Sequence, residues 1–225
     1  MGDAHETVSR ARWSTQGDET VRPVRVRAFA VLTIILLLSG CASQSSRPVL
    51  TSHEEAQAWQ VHQALVSGLD EWALSGRISV RTEDDSWSGK LRWRQGGGQF
   101  HIAFDAPMGM GAARLHSDDA GVHMAVPDGK EFTAPDAESL LYRFFGMRLP
   151  VAGLRYWVTG LPQPGMPSNL EYDGAGRLAR MQQASWDIRY RGYMYVQNIA
   201  LPRKMFIENS RLNVRLVIER WDVQV

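Results

Sequence analysis

At 225 residues, with a formal net charge of +1 and one cysteine, the chain suits a single domain plus an N-terminal extension. The balanced charge and the lack of a long basic tract argue against an electrostatic grip on nucleic acid. A lone cysteine excludes an internal disulfide.

Residues 28–38, AFAVLTIILLL, are apolar and uncharged, with Arg22, Arg25 and Arg27 just ahead. This is a signal-peptide layout, and the eleven residues fall short of the roughly 20 that a membrane-crossing helix needs. Residues 1–40 are therefore read as a signal peptide, whose long acidic front leaves open a start downstream of Met1. Cys41 closes the stretch LLSGC, which resembles the bacterial lipobox. That resemblance implies cleavage after Gly40, an S-diacylglycerol and an N-acyl group on Cys41. Ala42, standing where Asp would imply retention in the inner membrane, implies the outer membrane facing the periplasm. Several chains hold a protein firmly where one binds only marginally. Without residues 1–40 the chain carries 20 basic and 20 acidic residues.

Residues 41–52, rich in Ser, read as the lipidated N-terminus and a flexible tether, and residues 53–225 as one domain. From Ser52 the spacing of Ala58, Val61, Leu65 and Leu69 predicts an amphipathic helix with Glu55 completing a capping box. After Gly68 the period becomes two. Ile78 and Val80 share a face; Trp87, Leu91 and Trp93 oppose Ser88, Lys90, Arg92 and Arg94; Phe100, Ile102 and Phe104 fall together. Such alternation marks antiparallel strands with one wet face.

Residues 105–111, DAPMGMG, form a loop between two strand patterns, yet carry Met108 and Met110 among glycines. Turn chemistry recurs at 95–98, 118–121, 127–130 and 172–176. A helix is predicted after Thr133, Pro135 and Asp136, lining up Leu140, Leu141, Phe144 and Phe145, and a shorter one over PVAGLRYWVTGLP with Leu154, Trp157 and Val158. Later strands align Trp186, Ile188 and Tyr190, then Leu212, Val214, Leu216 and Ile218. The fold class is mainly β with helices (α+β): a long curved antiparallel sheet, barrel or half-barrel, with helices burying their aromatic area on its concave side.

Chemistry is sparse. A P-loop and a Gly-x-Ser-x-Gly elbow are both missing from the sequence, and no cofactor or catalytic residue is assigned. Glu83, Asp84 and Asp85 read as a solvated hairpin loop. His116, Asp118 and His123 flank one predicted hairpin and could converge on a metal, but solvated turn residues are the preferred reading and no metal is assigned. The aromatic excess is more informative, with eight Trp of which seven follow Cys41. On parity, Trp87, Leu91, Trp93, Phe100, Ile102, Phe104, Leu141, Phe144, Trp157, Trp186 and Ile188 are candidates to line an apolar acyl-chain cavity.

The lipobox, SGRISVR, WSGKLRWRQ, FDAPMGMGAARL and above all FFGMRLPVAGLRYWVTGLP resemble the LolB family of outer-membrane lipoprotein receptors. The most specific part is the run Gly146, Pro150, Leu154, Trp157, Gly160, Leu161 and Pro162. The resemblance covers nearly the whole mature chain. It implies an unclosed, helix-covered LolA/LolB-like barrel that takes lipoproteins from a periplasmic carrier and inserts them into the inner leaflet of the outer membrane. No nucleotide is used. The implied partners are a LolA-like carrier, the acyl chains of client lipoproteins and outer-membrane phospholipid, with the protein a monomer and not an enzyme. By the family's motif Pro107, Met108 and Gly109 form a membrane-insertion loop, with Met108 where Leu is frequent. Two other readings stay open: an assembly lipoprotein with a filled core that binds a protein partner, and a tethered periplasmic hydrolase.

Overall fold

The structure, a computed structural model, describes residues 52–107 and 111–224. Cys41, the signal segment, the tether before Ser52, and Met108, Gly109 and Met110 lie outside the described residues. Helix α1 (Ser52–Ser67) leads into strands β1 (Glu71–Arg81), β2 (Ser86–Gly96), β3 (Gln99–Asp105), β4 (Ala112–Asp118), β5 (Gly121–Ala125) and β6 (Glu131–Ala134). Helices α2 (Ala137–Phe145) and α3 (Val151–Trp157) follow. The chain then returns to strand in β7 (Ser168–Tyr172), β8 (Leu178–Gln183), β9 (Trp186–Tyr190), β10 (Tyr193–Val196), β11 (Ile199–Pro202), β12 (Lys204–Glu208) and β13 (Asn213–Gln224). Among the described residues no helix is long and apolar enough to cross a membrane.

Eleven strands form one antiparallel sheet in the order β6-β5-β4-β3-β2-β1-β13-β12-β9-β8-β7. Its ends, β6 and β7, do not pair, so the barrel is unclosed. Strands β10 and β11 make a separate hairpin. Burial follows the alternation in the sequence: Trp72, Leu74 and Val80 of β1 and Leu91 and Trp93 of β2 are buried, while Lys90, Arg92 and Arg94 are exposed.

One irregularity sits at the centre of the sheet. Ser75 pairs with Arg220 but Gly76 pairs with Ile218, leaving Glu219 as a bulge. The bulge flips the parity of β13, so that Val214, Leu216 and Ile218 are buried before it and Trp221 and Val223 after it. Position 76 admits only glycine, because a Cβ there would stand 2.1 Å from the Val217 carbonyl oxygen.

The α1 helix forms as predicted but turns a different face inward. Trp59, His62 and Val66 are buried with Leu69 just beyond the helix, whereas Val61 and Leu65 are 64% and 51% exposed. The indole of Trp59 offers more apolar area than any residue of the predicted stripe and seats on Tyr172, ring centroids 5.6 Å apart. Ala58 is half-buried over Gly176, whose φ is +69° and where a Cβ would lie 2.3 Å from that of Ala58. By contrast α2 agrees with its signals: Asp136 caps it by accepting from the Ser139 N–H, and Gly146 ends it in the left-handed conformation.

The interior divides into two regions. Under β8, β9 and β12 it is packed solid, with Leu178, Met181, Ile188, Met205 and Ile207 wholly inaccessible. Under β1 to β4 it is not.

Candidate functional site

Beneath β1 to β4 lies an apolar cavity of about 120 Å³. The sheet contributes Ile78, Val80, Trp87, Leu91, Trp93, Ile102, Phe104, Ala113 and Leu115, and the opposite wall comes from Leu141 and Phe145 of α2, Met147, Leu149, and Val151 and Leu154 of α3. Every lining residue is apolar. The alternation of the strands delivers the first wall; the second is delivered by the Asp136 cap, which starts α2 in the phase that points Leu141 and Phe145 inward. Nothing in this lining can serve as nucleophile, acid or base, so its chemistry is confined to excluding water from hydrocarbon.

Six of the residues expected at such a cavity come together here: Trp87, Leu91, Trp93, Ile102, Phe104 and Leu141. The other five stand elsewhere. Trp157, Trp186 and Ile188 belong to the packed region, where the Trp157 indole N–H donates to Gln183 Oε1 at 2.8 Å and the Trp157 and Trp186 rings lie 6.0 Å apart. Phe144 turns towards Phe132, centroids 4.2 Å apart, and Phe100 packs on the rim of the core. All five are apolar on the expected faces; what parity cannot give is where along a curved sheet the filling stops.

Nine lining residues were not among the cavity candidates: Ala113 and Leu115 of β4, Met147 and Leu149 between the helices, and Ile78, Val80, Phe145, Val151 and Leu154. The first two had a usable signal, the alternation in AARLH. Met147 and Leu149 sit between two helices without a period, and only the turn of chain at Gly146 brings them inward.

The loop after β3 springs from the cavity wall. Phe104 and Ala113 are a cross-strand pair, both lining the cavity, and just beyond them the Ala106 N–H donates to the Gly111 carbonyl at 2.9 Å. At its foot Asp105 accepts from Arg92 of β2 and Arg114 of β4, each at 2.8 Å. These half-exposed pairs contribute little stability, but they tie the loop's base to both neighbouring strands. Pro107 is exposed, and Met108 and Gly109 lie outside the described residues.

The carboxylates at 83–85 occupy the exposed β1–β2 turn, where the Thr82 N–H donates to the Asp85 carbonyl at 2.9 Å. His116, Asp118 and His123 do converge, on the solvated face opposite the cavity.

Residues 70–221 match the family described as outer membrane lipoprotein LolB. The outer-membrane lipoprotein LolB of Nitrosococcus oceani is 38% identical over 198 residues, covering 88% of this chain and 98% of the relative. Those of Pseudomonas aeruginosa (38%, 88% and 97%) and Pseudomonas putida (37%, 87% and 96%) are similar to the same degree. The fold resembles an outer-membrane lipoprotein-sorting domain from Vibrio parahaemolyticus, with a TM-score of 0.50 at 11% identity over 78% of this chain and 94% of that one. With the family match taking in every residue that lines the cavity, the chain belongs to the outer-membrane lipoprotein LolB family.

Proposed function

We propose that the protein is a lipid-anchored acceptor at the outer membrane that takes lipoproteins from a periplasmic carrier and inserts them into the inner leaflet, without nucleotide hydrolysis. The observation that carries this reading is the cavity with no polar lining residue, roofed by two short helices. Each acyl CH₂ moved from water into such a space is stabilised by about 0.8 kcal/mol. Affinity of this kind needs area, not hydrogen bonds, and hand-over needs only a downhill series of affinities.

At about 120 Å³ the cavity, partly open to solvent, is too small for a full acyl chain as it stands. Admission requires the α2 wall and the Met147–Leu149 segment to lift from the sheet. That wall is the suited one, since β1 to β4 are locked by ladder hydrogen bonds and the helices are held by apolar contact. The loop between β3 and β4, rooted in the sheet wall at Phe104 and Ala113 and carrying Met108, is the element that meets the bilayer, while Cys41 keeps the domain beside it.

A filled core, required by the assembly-lipoprotein reading, describes only the region under β8, β9 and β12. The test is binding of a fluorescent fatty acid to the full chain, displaced by an acylated lipoprotein, followed by transfer from a loaded periplasmic carrier into liposomes. Saturable binding with displacement supports the acceptor; binding that an acylated lipoprotein does not displace overturns it.

A further inference from the structure

On the solvated face of the sheet, away from the cavity, three side chains converge that the receptor reading does not use. Ala113 and Leu115 point inward from β4, so His116 and Asp118 point outward together, two residues apart on one strand. His123 stands directly across from His116 on β5. The two imidazoles stack with centroids 4.8 Å apart and an interplanar angle of 12°. One ligating atom from each of His116, Asp118 and His123 lies within 4.8 Å of the others.

We propose that this face of the β4–β5 hairpin is a binding site for a divalent transition metal, zinc by its donor set, with His116, Asp118 and His123 as ligands and water completing the shell. Two imidazoles and one carboxylate favour zinc over the hard cations calcium and magnesium. Zinc bonds of about 2.0–2.2 Å place neighbouring ligand atoms about 3.3 Å apart in a tetrahedron. His123 Nε2 and an Asp118 carboxylate oxygen are already 3.2 Å apart, so only His116 has to swing inward.

A second shell is present as well. Thr133, paired with His123 on β6, sets its hydroxyl 3.5 Å from His123 Nδ1, which occupies that nitrogen and leaves Nε2 for the metal. The Ala120 N–H donates to Asp118 Oδ1 at 2.8 Å, which fixes the carboxylate on the side of the turn that faces His123. The three ligands stand on one short hairpin and Thr133 on the strand beside it, so the arrangement does not depend on a long loop.

The test is calorimetric titration of the untagged full chain in detergent with zinc chloride, alongside cobalt(II) absorption as a report of coordination geometry. One zinc per chain is expected. His116→Ala, His123→Ala and the near-isosteric Asp118→Asn should each weaken binding by roughly 100-fold or more, and Thr133→Val by about 10-fold, the range of a lost outer partner. His101→Ala, which removes only the ring stacked on the far side of His116 at 5.9 Å, should leave the stoichiometry unchanged. Thermal midpoints of the metal-free variants should match the parent, since these side chains stand on a wet face. Zinc affinity unchanged in the three ligand variants, equal affinity for magnesium, or no binding at millimolar zinc overturns the site.

Discussion

The indole N–H of Trp157 and Oε1 of Gln183 meet at 2.8 Å in the packed half of the interior, joining the end of α3 to β8. The same amide accepts from the Gln163 N–H at 2.8 Å and donates to the carbonyls of Gln163 and Met166 at 2.9 and 3.2 Å. Gln183 is 1% exposed, and its amide serves four polar groups along the return from α3 to β7. Gln183→Leu orphans several of them at about 1–3 kcal/mol each. The expected loss is about 3 kcal/mol, seen in thermal unfolding as a midpoint lower by about 6–12 °C.

The central bulge gives a second expectation. Gly76→Ala sets a Cβ 2.1 Å from the Val217 carbonyl oxygen and 2.9 Å from Ile218 Cα, both of them backbone atoms that no rotamer change can move. Forcing β1 and β13 apart there should cost about 3 kcal/mol, the upper end of overpacking penalties, measured as a lower urea midpoint. Arg77→Ala, which loses only the exposed pair with Glu219 at 2.8 Å, should stay within about 1 kcal/mol of the parent.

The cavity can be shortened without touching its roof. Ala113 is 4% exposed and lines the wall beside the loop, and Ala113→Leu fills space there that hydrocarbon would take. Displacing about two methylenes at about 0.8 kcal/mol each predicts a roughly tenfold weaker fatty-acid affinity. Fluorescence titration reads this directly, with stability near the parent's because the new side chain enters existing space.

Met108→Glu tests the loop. An apolar tip gains about 1.5–3 kcal/mol on entering hydrocarbon, and a carboxylate forfeits that gain. The variant should bind fatty acid as the parent does and accept lipoprotein from the carrier, while transfer into liposomes stops. Full-rate transfer by Met108→Glu removes the loop from the mechanism.

His62 makes stability depend on pH. It is buried on α1 beside Tyr193, ring centroids 6.3 Å apart. Burial foremost, and then the Arg177 charge, hold its pKa below 6.5, against the opposing pull of Asp173. A lowered histidine pKa means that the unfolded chain takes up the proton first, so stability falls as pH drops below about 6.5, by at most about 1.4 kcal/mol per pH unit. Asp173 acts in a different window. Burial opposes its ionisation, the Arg177 guanidinium bonds outweigh that, and its pKa ends below 3.8; its contribution is lost only under more acid conditions. His62→Phe should flatten the unfolding midpoint between pH 7 and 5.

Strand alternation and helix caps carried most of the architecture in the sequence itself. The inward faces of β1, β2, β9 and the first half of β13 can be read there, as can the Asp136 start of α2, because burial on one side of a strand imposes a period of two and a cap needs a specific side chain. The phase of α1 could not be read. Its apolar residues are spread around the helix, and the choice of face falls to Trp59 meeting Tyr172, a contact between residues far apart in sequence. The β10–β11 hairpin was hidden for another reason: its turn residues Gln197 and Asn198 adopt positive φ of 48° and 67° without a glycine to announce them. Of the cavity, composition per strand was legible and its extent was not, since whether Trp186 faces a void or a neighbour depends on how far α3 reaches under the sheet.

The unpaired edges at β6 and β7 bear on how much cargo the proposed receptor could hold. A ring of strands has a fixed circumference, and widening it means breaking ladder hydrogen bonds somewhere around the hoop. A sheet with a seam has no such hoop stress. It can uncurl by a few degrees per strand, at the cost of side-chain contacts alone, and its girth becomes a quantity that the occupant sets. A pocket of this kind can be small when vacant and still stretch for a second or third chain, which makes the missing strand pairing between β6 and β7 the fold's allowance for expansion.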